Sequence, residues 1–298
     1  MKQTETKKST GKYISYALVL AAGICWGCTG LFNRHLTVLG FTSTGTVILR
    51  NIGSAVLLAL VLLITDRSLF RIRVRHLPYF LGTGIISLLI FTLCYFRSQQ
   101  INSLALAAIM MYTAPAFVVL LSVPVFRDKI TGKKLLALAV AFGGCVLASG
   151  LAGGRLELTA EGLLLGLGSG LFYASYSIFA RMAMKHYRSL TITFYTFAVA
   201  AAGSLLLLAL GAADYGAAAC TGGALWNIAG LLLIGTVAPY ILYTKGLEGI
   251  GDGGKASILA SIEPVMAAFV GVLAFGEPLG LGTIGGLVCI LISVFILR

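Results

Sequence analysis

Few residues in this chain carry groups that could do chemistry, and most of them lie in apolar surroundings. Glu263 sits nine residues after Gly254 in an apolar run, about 14 Å along a helix. Arg50 sits some six residues into another such run. Trp26, Tyr112, Tyr176 and Tyr240 add rings with a polar edge. A carboxylate buried in hydrocarbon costs several kcal/mol unless it is paired or solvated. Glu263 must therefore face other helices or a wet cavity. It either holds a substrate amine or a coupling proton, or it is part of a helix-breaking Glu-Pro step that ties helices together. Arg50 either meets an anionic substrate group, pairs internally, or snorkels to the surface. The rings suit an amphipathic ligand, although Tyr and Trp also populate membrane interfaces. Tyr95 and Tyr243, near the ends of their runs, are assigned to such a belt.

The elements that position these groups follow from composition. The chain has 298 residues, 58% hydrophobic and 11% charged, with mean hydropathy +0.97. Soluble domains are about 45–50% apolar and 25% charged. No soluble core of this size hides so much apolar side chain, and disorder requires the opposite balance. The chain reads as an all-α membrane protein. Ten helices are expected: Tyr13–Asn33, Thr44–Thr65, Leu77–Arg97, Leu104–Phe126, Lys133–Leu151, Gly162–Met184, Leu190–Ala213, Leu225–Lys245, Gly254–Gly276 and Gly280–Leu297. Residues 1–12 form a polar tail, and the run that follows reads as a retained first helix, not a removed signal. No room remains for a soluble catalytic domain.

The net charge of +12 reports topology, not nucleic acid. With the N-terminus inside, only Arg34, Arg97 and Arg155 fall outside and Arg50 within a span; every other Lys and Arg is inside. The positive-inside rule then places both termini in the cytoplasm of a cell or inner membrane.

The chain also repeats itself. Gly23–Arg34 (GICWGCTGLFNR) recurs as Gly170–Arg181 (GLFYASYSIFAR), offset by 147 residues. Pro115 and the Phe126-Arg127-Asp128 step recur as Pro264 and Phe275-Gly276-Glu277, offset by 149. Residues 13–152 and 153–298 are thus two five-helix repeats. Five is odd, so the second copy enters the membrane inverted, a recurring plan of secondary transporters with a central site. Pro115 and Pro264 read as matched kinks that shape the cavity.

Trp26-Gly27, the F-x-[DE]-x-[IL] steps at Phe126 and Phe275, and Glu263-Pro264 resemble the drug/metabolite transporter superfamily, in its EamA-type branch of two five-helix modules. The resemblance spans residues 13–297. It implies a carrier of small organic metabolites, often an exporter of amino acids and related compounds, with a proton as one coupling option. Ala114 stands where the second copy has Glu263, and Asp128 replaces the more usual Glu. A monomer or homodimer in the lipid bilayer is expected, without cofactor.

Other motifs lead elsewhere and lapse. Gly249, Gly251 and Gly254 spell G-x-G-x-x-G, but no βαβ context surrounds them, and Ala256 stands where a P-loop needs Ser or Thr. Cys25 and Cys28 form C-x-x-C inside a span and read as packing. His35, His76 and His186 lie at span ends, share no helix face, and give no metal site. The rival class is a membrane-embedded enzyme acting on lipid or peptide. It would need paired acids or a His-acid pair at one depth, whereas one deep acid is present.

Overall fold

The computed structural model describes residues 2–101, 104–148, 159–211, 222–276 and 280–296. Arg155, Asp214, Cys220, Glu277, Pro278, Arg298 and the junction between the repeats lie outside the described residues.

The described chain is helical, with no strand. Its helices are α1 (Lys2–Gly27), α2 (Thr29–Val38), α3 (Ser43–Thr65), α4 (Leu77–Leu81), α5 (Phe91–Ile101), α6 (Leu104–Met111), α7 (Ala114–Phe126) and α8 (Gly132–Ala148). The second half holds α9 (Ala160–Ala183), α10 (Ser189–Ala209), α11 (Gly222–Leu232), α12 (Ala238–Ile250), α13 (Gly253–Ala260), α14 (Glu263–Phe275) and α15 (Leu281–Ile296). A π-helical stretch, Gly82–Ile90, joins α4 to α5, and another, Leu233–Val237, joins α11 to α12.

The halves match closely, except that α9 runs unbroken where the first half is divided into α1 and α2. The π stretches fall in the same place in each. In each, a hydroxyl 149 residues from its counterpart bonds the carbonyl five residues back: Ser87 to Gly82 at 2.7 Å, and Thr236 to Leu231 at 2.8 Å. The main helix contacts survive exchange of the halves. α5 packs on α9 as α12 packs on α1, α7 on α9 as α14 on α1, and the self-matched pairs α3–α10 and α8–α15 close the bundle. Asn51 Nδ2 donates to Ser204 Oγ at 3.0 Å across the α3–α10 contact.

Eight helical stretches are long and apolar enough to cross a membrane, not the ten expected. The shortfall lies in α8 and α15. Their 17 and 16 described residues reach only about 25 Å at 1.5 Å each, short of a core roughly 30 Å thick. The first span also runs further than expected. After a break at Cys28 it continues to Val38, so Arg34 lies within α2. The outer surface is apolar: Ile64 is 84% exposed, Leu164 74% and Leu273 70%, as lipid-facing side chains should be.

Pro115 and Pro264 do not kink continuous helices. Each stands at the second position of a new helix, α7 or α14, after a break at Tyr112–Thr113 or Ser261–Ile262. Proline is well tolerated in a first turn, where its missing N–H removes no helical bond. The carbonyls left over before the break need cover, since lipid offers no donor. Gly170 on α9 lies against the first break and Gly23 on α1 against the second. A Cβ at Gly170 would stand 2.8 Å from the Met110 carbonyl oxygen, and one at Gly23 2.8 Å from that of Ala260. Only glycine allows these approaches.

Gly23→Ala and Gly170→Ala should each lower the thermal unfolding midpoint in detergent, at an overpacking cost of about 1–3 kcal/mol. Gly143→Ala, where a Cβ meets nothing within 4 Å, should leave it unchanged.

Candidate functional site: an aromatic cavity at the helix breaks

Both helix breaks face one central cavity. Trp26, Tyr112, Tyr173, Tyr176, Tyr240 and Tyr243 wall it, with Ser257, Ser261, Ala114 and Glu263 at the breaks. The centre of a water-sized sphere can roam only about 30 Å³ of it, room for one or two waters. The cavity is therefore contracted in this structure.

Its walls are rings packed edge to face. The Trp26 ring centroid lies 5.3 Å from Tyr240, 5.4 Å from Tyr243 and 6.5 Å from Tyr173. Tyr176 meets Tyr240 at 5.3 Å and nearly perpendicular, and Phe197 backs Tyr240 at 4.9 Å. Their hydroxyls divide into two groups. Tyr176 bonds Thr244 Oγ1 at 2.7 Å, and Tyr243 bonds Ser177 Oγ at 2.7 Å. Tyr112, Tyr173 and Tyr240 have no hydroxyl partner among the described residues, so they are free to bond a ligand.

Two charges flank the rings. Glu263 opens α14, where the partial positive charge of a helix N-terminus favours a carboxylate. It lies within electrostatic reach of Tyr112, Tyr173 and Tyr240. Arg50, on α3, lies within electrostatic reach of Tyr173 and Tyr240. Its Nε and one Nη are buried without a hydrogen-bond partner, so Arg50 does not snorkel. Neither Arg50 nor Glu263 has an ion-pair partner among the described residues. An unpaired buried guanidinium is costly.

The bundle is fastened at both ends. Where α7 and α9 finish, Arg181 grips Asp128 with both terminal nitrogens, at 2.5 and 3.1 Å, and stacks 4.1 Å over the Phe126 ring. Beside it Lys134 Nζ, on a lysine that is 5% exposed, pairs with Asp252 at 2.7 Å. At the opposite end Arg34, the repeat counterpart of Arg181, stacks 4.2 Å over Phe275, the counterpart of Phe126. The same cation–ring clasp is thus built twice.

Of the expected site residues, the structure brings Trp26, Tyr112, Pro115, Tyr176, Tyr240 and Glu263 to one cavity wall. Arg50 and Pro264 lie outside the lining. Tyr243 is 4% exposed and hydrogen-bonded within the cluster, a correction to its assignment to the interfacial belt. Ser261 was missed, and Tyr173, one of the polar aromatics expected on the interior helices, was not among the expected site residues. Repeat arithmetic points to both, since Tyr173 is the counterpart of Trp26 and Ser261 that of Tyr112. Cys25, Cys28, Cys94, Cys145 and Cys289 are free thiols. His76 and His186, expected to be unrelated, stack across the repeats at 4.3 Å.

A helical bundle with a lipid-facing exterior, duplicated halves and a central cavity at paired helix breaks is built as a multi-pass membrane transporter. The profile of the EamA-like transporter family matches residues 13–150 and again 160–298, and the chain belongs to that family. A protein of Archaeoglobus fulgidus named an uncharacterized transporter is 34% identical over 202 residues, 68% of this chain and 70% of its own length. The uncharacterized transporter YyaM of Bacillus subtilis is 23% identical over 287 residues, 94% of this chain and 92% of its own. A protein crystal structure superposes with a TM-score of 0.77 at 17% identity, over 97% of this chain and 96% of the other, which establishes likeness of fold.

Tyr176→Phe and Tyr243→Phe should each lower the thermal midpoint, because a buried hydroxyl on Thr244 or Ser177 loses its partner at about 1–3 kcal/mol. Tyr240→Phe should not. Equal losses in all three would mean that the division of hydroxyls is wrong.

Proposed function

We propose that the chain is a secondary transporter that carries a small zwitterionic metabolite, amino-acid-like, outward across the cytoplasmic membrane by alternating access. The observation that carries this reading is the unpartnered carboxylate of Glu263 in the lining of an aromatic cavity, with the unpartnered guanidinium of Arg50 within electrostatic reach of two of the lining tyrosines. A ligand ammonium supplies the partner that Glu263 lacks, and a ligand carboxylate is favoured by the field of Arg50. Its apolar part lies against Trp26 and the tyrosine faces, and the free hydroxyls of Tyr112 and Tyr240 accept or donate at its edges. Tyr176 holds the wall in place.

In this reading the chain makes ten crossings as two inverted five-helix repeats, with both termini cytoplasmic and α8 and α15 completing the fifth and tenth. The end holding Arg181, Asp128, Lys134 and Asp252 is cytoplasmic; the end holding Arg34 and Phe275 faces outward. Opening one clasp while the other holds exposes the cavity to one side at a time. Glu263 doubles as the coupling group. It binds a proton when the ammonium is absent and releases it when the ammonium arrives, so proton and cargo compete for one carboxylate. Efflux driven by an inward proton gradient follows from that exchange.

The test is counterflow in proteoliposomes with a panel of amino acids and their decarboxylated and amidated analogues. Zwitterions should exchange, while analogues lacking either charge should exchange poorly. Glu263→Gln should leave a folded, monodisperse protein, cut transport by about tenfold or more and flatten its dependence on pH. Normal transport by that variant between about pH 5.5 and 8, the usual working range of a proton-coupled carboxylate, makes the residue structural and ends the proposal.

Orientation has its own check. In a cysteine-free background, Arg34→Cys should react with an impermeant thiol reagent on intact cells, and Arg73→Cys only after permeabilisation. The reverse pattern inverts the topology.

A further inference from the structure

Away from the central cavity, a second concavity lies where the repeats meet at the end that holds Asp128 and Arg181. It has a volume of about 430 Å³. The first repeat contributes Arg71, Arg73 and His76, from the connection between α3 and α4. The second contributes Lys185, His186 and Tyr187, from the turn after α9. No carboxylate lines it.

The arrangement is built, not a loose run of surface charge. His76 is 5% exposed and stacks on His186 at 4.3 Å, with ring planes 20° apart. Its Nε2 accepts from Arg75 Nε–H at 3.2 Å, so Nδ1 carries the proton and donates to the Tyr187 oxygen at 2.8 Å. That same oxygen accepts the Arg73 backbone N–H at 2.9 Å. With both acceptances made, the Tyr187 O–H has no acceptor among the described residues. Arg71, Arg73 and Lys185 have no carboxylate partner among the described residues; Lys185 Nζ stands 5.9 Å from the Phe126 ring centroid, a weak contact that a ligand would compete with.

Positive-inside topology asks only that cations lie on one side. It does not ask that two distant segments converge on a concave, cation-rich pocket floored by a buried imidazole and a spare phenol O–H. Such a pocket wants a ligand with several acceptor oxygens and negative charge. A carboxylate has two oxygens and would leave donors over. A phosphate group has enough for two guanidinium forks, an ammonium and a phenol.

The geometry points to a phosphate-binding site between Arg71–His76 and Lys185–Tyr187, filled by a phosphate ester: the headgroup of an anionic lipid or a soluble phosphate. A phosphate held there bridges the two repeats. The inference is independent of the cargo reading, since none of these residues touches the central cavity.

The test uses the full-length protein in neutral detergent, with inorganic phosphate as the probe and chloride at matched ionic strength as the control. Phosphate should raise the thermal midpoint saturably. Arg73→Gln/Lys185→Gln should abolish that rise. Arg67→Gln/Arg188→Gln, an equal charge loss on the same face but outside the pocket, should keep it. In wild-type protein, phosphate should also slow acylation of Lys185 by an amine reagent relative to Lys133, a readout that needs no variant to fold. To separate the sources, protein from vesicles of phosphatidylglycerol and phosphatidylcholine is examined by native mass spectrometry. Preferential retention of phosphatidylglycerol, lost in Arg73→Gln/Lys185→Gln, assigns a lipid headgroup. Saturable phosphate binding without that preference assigns a soluble phosphate. A phosphate response no different from chloride, or one that both double variants lose alike, overturns the site.

Discussion

A helix that breaks inside a membrane must have its freed carbonyls covered by protein, because hydrocarbon cannot bond them. That constraint organises the centre of this bundle. The breaks at Thr113 and Ile262 are what let the chain open a cavity between its helices. Turn bonds cover some of those carbonyls, with Thr113 donating both its N–H and its hydroxyl to the Met110 carbonyl and Ser261 and Ile262 donating to Ile258 and Leu259. Over the breaks α9 and α1 pack closely, which requires Gly170 and Gly23 at those points. The glycines set the helix spacing, the spacing brings Trp26 and Tyr173 to the cavity, and the proline at each restart fixes where the next helix begins. Removing any one of these leaves the others without purpose.

Symmetry explains where the cavity is; departures from symmetry explain what it can hold. The lining pairs Trp26 with Tyr173, Tyr112 with Ser261, and Ala114 with Glu263. Each pair puts the same backbone position on the wall and different chemistry at its tip. One half supplies the larger rings at two of these places, and the other supplies the carboxylate. A duplicated scaffold thereby makes an asymmetric site, with the acid in its lining and the Arg50 guanidinium within electrostatic reach of its tyrosines.

Much of this was legible in the sequence, for definite reasons. Hydropathy and charge gave the helices, because lipid imposes a single rule on every exposed side chain. The offsets of 147 and 149 residues gave the repeats, and they pick out Glu263, Pro115 and Trp26 without any coordinates. Contacts between halves were less legible. Tyr243 lies near a run's end and reads as interfacial, yet α9 reaches over it and Ser177 bonds its hydroxyl. The stacking of His76 on His186 joins residues 110 positions apart, and nothing in local spacing announces it. Helix breaks were read as kinks, because a proline in an apolar run looks the same whether the helix bends there or starts again.

The pair between Lys134 and Asp252 has no duplicate. At the corresponding places in the other half-turn of the repeat stand Thr283 and Ser103, so no salt link of that kind can form at the far end. Under the alternating access proposed above, a machine assembled from two equal halves would rest with neither door favoured. The Arg97–Glu161 pair is exposed and adds little, whereas Lys134 is buried, so one door carries an extra bolt. Each 1.4 kcal/mol or so that the bolt is worth shifts the idle population about tenfold toward the arrangement in which that door is shut. On that proposal the molecule has a default stance before any cargo or gradient acts on it. That stance is written in one lysine and one aspartate.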